Sequence, residues 1–176
     1  MSDVDSRCLD AFPDFLRSLA DDAGVLSAVV EDSGLSEDAR RHAAGALSYL
    51  FKSLDLIPDG IEELGYLDDA FVFRVAARLA THVEPVVALE KLAHEAELVS
   101  DFLSVDYPRL ERFVAGLGKL TVRGRSVDEV LASPEAAASF TGEVRGWAKD
   151  YAVPPFGRDV KNLVKLRSFL RAKLPA

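Results

Sequence analysis

Apolar residues recur along this chain at spacings of three and four, the helical period, and no segment keeps the strict alternation of a half-buried strand. The first stripe is Phe12, Phe15, Leu16, Leu19, Ala23, Leu26 and Val30, with Gly24 as a point of bending or splitting and Gly34 as a stop. Ser36 is placed to cap a second helix, with Glu37 and Asp38 in its first turn. Its inward positions are Ala39, Ala43, Ala46, Leu47, Leu50 and Leu54. They are small at first and large later, which predicts close approach of another element near Ala39 and Ala43. Ile57-Pro58-Asp59-Gly60 then reads as a type I turn.

Helix resumes at Leu67 and is apolar on nearly every side: Leu67, Ala70, Phe71, Val72, Phe73, Val75, Ala76 and Leu79, interrupted by Arg74 and Arg78. Such a helix belongs in the centre of its domain. Further helices are predicted from Pro85 to Leu103, from an Asp106 cap through Leu120, briefly over Val127–Ala132, from Ser133-Pro134 to Tyr151, and over 158–173. Thr121–Ser126 reads as a polar connection and Val153-Pro154-Pro155-Phe156-Gly157 as a linker. The expected fold is all-α: one compact bundle of about seven helices around a central apolar helix, 67–81. Residues 1–157 form the helical domain and 158–176 a basic C-terminal helix packed on it or tethered to it.

Composition agrees. With 176 residues, 49% hydrophobic and 28% charged, the chain has material for one sizeable core and is not disordered as a whole. The net charge is −8, which argues against duplex nucleic acid, whose phosphates require a basic footprint. From Arg158 onward six basic residues face Asp159 alone, a balance of +5 that leaves −13 on residues 1–157. The opening MSDVDSRCLD has no apolar h-region, and a lone cysteine forms no internal disulfide. The expectation is a cytoplasmic protein.

The stretch that stands apart is Leu54-Asp55-Leu56-Ile57-Pro58-Asp59-Gly60 followed by Leu64-Gly65-Tyr66-Leu67-Asp68-Asp69. Four aspartates embedded in Leu, Ile and Tyr predict a partly buried corner, where each carboxylate needs a hydrogen bond or a cation. With Tyr49, these two clusters resemble the YkvA-like domain, a bacterial family of unknown function, over Ala43 to Ala80. Members usually carry proline where this chain has Ser53 and Glu62. The resemblance implies a small helical domain, sometimes found in proteins with membrane-spanning segments, and no established reaction.

Three roles for the acids compete. In the favoured one they are structural: Asp68 and Asp69 answer free N–H groups where a helix begins, Asp55 caps the loop and Asp59 serves the turn. A second, compatible role pairs some of them with Lys52, Arg74 or Arg78. In the third, Asp55, Asp59, Asp68 and Asp69 hold a divalent cation, with hydrolysis as the activity it would serve. An EF-hand beginning at Asp55 fails at Ile57 and Tyr66.

Other motifs are weaker. Glu90, His94, Glu97 and Asp101 line one side of a helix, which reads as a solvated face rather than a ligand stripe. His42, with Asp38 one turn earlier, is ordinary surface chemistry, and His82 has no partner at helical spacing. Cys8 is placed in a mobile N-terminus. Gly118-Lys119 lacks the remainder of a phosphate loop. The leading functional expectation is a non-catalytic adaptor with a protein partner and no committed cofactor. Alternatives are the cation site and peripheral membrane attachment through the basic amphipathic segment 158–174. The oligomeric state is left open.

Overall fold

The computed structural model describes residues 1–52, 56–57, 61 and 64–176. Among these residues the structure is all-α apart from one small hairpin. The helices are α1 (Asp3–Glu31), α2 (Glu37–Tyr49), α3 (Leu67–Val83), α4 (Glu90–Leu103), α5 (Tyr107–Ala115), α6 (Val127–Leu131), α7 (Pro134–Asp150) and α8 (Val160–Lys173). Serine caps start several of them, Ser36 and Ser133 where the sequence places helix starts and Ser126 in addition. Ser36 accepts the Ala39 N–H at 3.2 Å and Ser133 that of Ala136 at 3.1 Å. Ser126 and Glu129 complete a capping box for α6.

The α3 helix is buried along most of its length and packs against α1, α2, α4 and α5. Opposite it, α1 also meets α2, α4, α7 and α8. An aromatic cluster marks this meeting point. Phe12 of α1 lies 5.0 Å from Phe71 of α3 and 5.1 Å from Phe102 of α4, both edge to face.

Several sequence expectations need correction. Helix α1 starts at Asp3, passes through Pro13 and Gly24 unbroken, and ends at Glu31, ahead of Gly34. Cys8 is consequently a core residue rather than part of a mobile end. Burial pushes its thiol up to about 12, so it stays protonated and inert near neutrality. Helix α2 stops at Tyr49, short of Leu54. Asp106 does not cap α5 with its side chain; it accepts from Arg109 at 3.0 Å and Arg171 at 2.9 Å. The polar connection 121–126 is an antiparallel hairpin with Val122 opposite Arg125. Its two turn residues, Arg123 and Gly124, both have positive φ, as a twisted two-residue hairpin turn demands. The Arg123 guanidinium lies 4.6 Å over the Phe51 ring, a tertiary contact that offsets the cost of that backbone for a residue other than glycine.

The small positions of α2 do admit a close neighbour, at Gly45, two residues beyond Ala43. A Cβ on Gly45 would lie 2.9 Å from the backbone of Leu117 and of Gly118, in the 3-10 turn Leu117–Lys119. Gly118-Lys119 thus belongs to a helix crossing and not to a phosphate loop.

Residues 151–159 run outside any helix across α1, where the Tyr151 hydroxyl donates to the Leu16 carbonyl at 2.8 Å and Arg158 pairs with Asp10 at 2.6 Å. Helix α8 then lays Leu163, Leu166 and Leu170 into the core. Arg167 pairs with Asp5 at 2.8 Å and covers the Phe102 ring at 4.2 Å.

Two predictions arise from this packing. Gly45→Ala meets rigid backbone rather than a movable side chain, so it should destabilise the fold by roughly 1–3 kcal/mol in urea denaturation. The second concerns acid. The hydrogen bonds from Arg167 to Asp5 and from Arg171 to Asp106 hold both carboxyls below the ordinary 3.8. Their contribution is therefore complete above about pH 4 and disappears as pH falls through the lowered folded values. Stability measured across this window should fall less steeply for Asp106→Asn than for the parent chain.

Candidate functional site

The acidic corner starts from the end of α2. Tyr49 is wholly buried, with its ring edge-on to Phe113 at 5.9 Å. Its hydroxyl donates to Asp68 Oδ2 at 2.6 Å and accepts the Leu56 N–H at 2.8 Å. One phenol therefore joins α2, the 56–57 stretch and the first turn of α3. Burial, reinforced by the negative charges of Asp68 and Asp69, holds the phenol far above its ordinary value, so it remains a proton donor.

Around this bond the chain turns tightly. Gly65 donates its N–H to the Ile61 carbonyl at 2.8 Å, and Leu67 donates to Leu64 at 3.2 Å. Tyr66 is the residue before α3 and has left-handed backbone, φ 68°, an expensive conformation for a bulky side chain. Its ring packs edge-on to Tyr151 at 5.3 Å and lies 6.1 Å from Trp147. Asp68 and Asp69 occupy the first turn of α3 and are buried, at 1% and 3% exposure. Their charges oppose the positive end of the helix dipole. Asp55, Pro58 and Asp59 lie outside the described residues.

One and a half turns along α3, Arg74 sits at a second polar node. Its side chain is 1% exposed. Nη2 donates to Asp22 Oδ2 at 3.2 Å, Nε to Glu95 Oε2 at 3.1 Å and Nη1 to the Ala70 carbonyl at 3.0 Å. The guanidinium also lies 3.7 Å over the Phe15 ring. Ser18 supports the cluster, its hydroxyl donating to Asp22 Oδ2 at 2.8 Å. Burial raises the Asp22 carboxyl above its ordinary value, and the Arg74 charge opposes that shift. Arg74 thereby ties α3 to α1 and α4.

Sequence reasoning singled out Arg74 but missed Asp22 and Glu95. The available signal was their register. Asp22 follows Phe15 and Ser18 at helical spacing beside the apolar stripe, and Glu95 flanks Leu92 and Val99 in the same way. The other two cations named from the sequence make aromatic contacts. Arg78 lies 5.7 Å from the Tyr107 ring, and Lys52 Nζ lies 5.0 Å from the Phe113 ring.

The histidines contribute little. His94 is exposed, 3.8 Å from Glu97, while Asp101 pairs with Arg7 at 3.2 Å. His42 is half-buried, and desolvation lowers its pKa. Among the described residues, no three side chains of His, Cys, Asp or Glu gather as a metal site. No helix among them is long and apolar enough to cross a membrane.

Against known proteins, residues 39–74 match the family model described as "Protein of unknown function (DUF1232)". The matched segment takes in α2 from Ala39, the acidic corner and α3 as far as Arg74, so it contains Tyr49, Asp68 and Arg74 but not Asp22 or Glu95. No curated protein and no solved structure matches the chain.

Both nodes yield tests. Tyr49→Phe keeps the ring and removes the bridge from a buried carboxylate and a buried N–H, so it should cost about 1–3 kcal/mol in chemical denaturation. Arg74→Met leaves two carboxylates without their cation and should cost about 3–5 kcal/mol. Combining it with Asp22→Leu and Glu95→Met should recover most of that loss, because the penalty lies in unmatched charge rather than lost volume.

Proposed function

We propose that this chain is a YkvA-like protein acting as a non-catalytic helical adaptor, a scaffold that presents its surface to a protein partner. The observation that carries the reading is how its chemically capable groups are used. Asp68 is held by the Tyr49 hydroxyl and Arg74 by Asp22 and Glu95, while the Cys8 thiol is buried. Asp68 and Arg74 hold helices together, and none of the three is presented at the surface.

A contact surface is available elsewhere. Val87, 79% exposed, lines a groove of about 270 Å³ between the end of α1 and the segment after α3, together with Val29, Leu35 and Pro85, and Val83, two residues before Pro85, is also exposed. Exposed apolar side chains bordering a groove suit a protein contact better than solvent. The burial of Leu163, Leu166 and Leu170 supports a packed α8 over one lying on a membrane.

Photo-crosslinking in cells from a probe at Val83 tests the reading. It should capture a second protein, and Val87→Glu should abolish capture while leaving the melting temperature unchanged. Recovery of the chain alone, or capture indifferent to Val87→Glu, would remove the adaptor reading. Calorimetric titration with calcium, magnesium, manganese and zinc supplies the other test. Binding heat that disappears in Asp55→Asn and Asp59→Asn variants would put a cation site in its place.

A further inference from the structure

We propose that the cleft between α1 and α4 binds an organic cation, an ammonium or guanidinium on an aliphatic chain, with its charge seated at Glu95. The cleft encloses about 620 Å³, and its walls include Ala11 and Phe15 of α1 and Leu98 of α4. That volume belongs to the range of small-ligand pockets, and the rest of the lining is polar or charged, Asp14, Asp21 and Glu97 included.

Charge balance selects the ligand. Behind the cleft wall, the cluster of Arg74, Asp22 and Glu95 sets one positive charge against two negative ones. A surplus negative charge in a dehydrated place requires a counter-charge. Glu95 also has unused capacity. Its Oε2 accepts from Arg74, whereas its buried Oε1 accepts no hydrogen bond among the described residues. A carboxylate oxygen has room for two donors.

Lys91 Nζ lies 4.0 Å from Oε1, within ion-pair range but too far for a hydrogen bond, on a side chain 79% exposed. The arginines at the rim do not oppose a cation, because Arg7 pairs with Asp101 and Arg17 with Asp14. An incoming ammonium would donate to Oε1, displace Lys91 into water and lay its carbon chain along Phe15 and Leu98.

The test is calorimetric titration of the full chain with n-hexylammonium, n-hexanol and n-hexanoate. Hexylammonium should bind at millimolar concentration or below, with hexanol at least about tenfold weaker and hexanoate silent, because only the cation gains a charge-assisted bond. Glu95→Gln keeps an acceptor for Arg74 but removes the surplus charge, and should weaken hexylammonium about tenfold. Lys91→Ala removes an exposed competitor without touching the core and should strengthen it; this variant decides the matter if Glu95→Gln fails to fold. A short peptide whose one charge is a central lysine separates the sources. Tighter binding than hexylammonium assigns the cation to a protein segment, and weaker binding assigns it to a free amine. Absence of hexylammonium binding, equal binding of hexanol, or affinities indifferent to both substitutions would overturn the proposal.

Discussion

A helix surrounded on nearly every side cannot carry a charge unless the surrounding elements supply its counterpart, and α3 carries three in its first two turns. Asp68, Asp69 and Arg74 are each almost completely shielded from water. Tyr49 answers Asp68 from α2, while Asp22 and Glu95 answer Arg74 from α1 and α4. Removing ions from water costs several kcal/mol apiece, so an arrangement that misplaced α1, α2 or α4 would leave a charge stranded. Hydrophobic burial drives the collapse, and these polar contacts restrict which collapsed arrangement is tolerable.

The two nodes differ in kind. At the corner, a neutral hydroxyl bridges a carboxylate and a backbone N–H, and the tight turn through Gly65 and Tyr66 depends on rings from α7 and the segment after it. At Arg74 the match is ionic and incomplete, one cation against two carboxylates. The first is a structural joint. The second is a joint of three helices, with Arg74 of α3 held by Asp22 of α1 and Glu95 of α4.

The C-terminal third closes the molecule. Residues 151–159 cross α1, and α8 seals the Phe12–Phe71–Phe102 cluster while its arginines meet acids of the body. The opposed charges of tail and body, visible as +5 and −13, become particular pairs here, Arg167 with Asp5 and Arg171 with Asp106. Arg109 adds a different restraint by donating to the carbonyls of Arg171 and Pro175, each at 3.0 Å. These bonds satisfy carbonyls that the end of a helix leaves without internal partners.

What the chain's own order of residues determined is local and periodic. The helical class, the apolar encirclement of Leu67–Leu79 and the caps at Ser36 and Ser133 are properties of near neighbours, and near neighbours are written side by side. The burial of Asp68 and Asp69 was legible for the same reason, since Asp68 stands among Leu67, Ala70 and Phe71. Partner choice was not legible. Arg74 is 52 residues from Asp22 and 21 from Glu95, and nothing in their spacing says that three helices bring them within hydrogen-bonding distance. The backbone of 121–126 was also decided from afar, because Arg123 accepts positive φ with Phe51 beneath it. Periodicity tells each segment which face to bury. Only the packed tertiary structure decides which charge on that face meets which, because Coulomb and hydrogen-bond energies depend on distance in space and not along the chain.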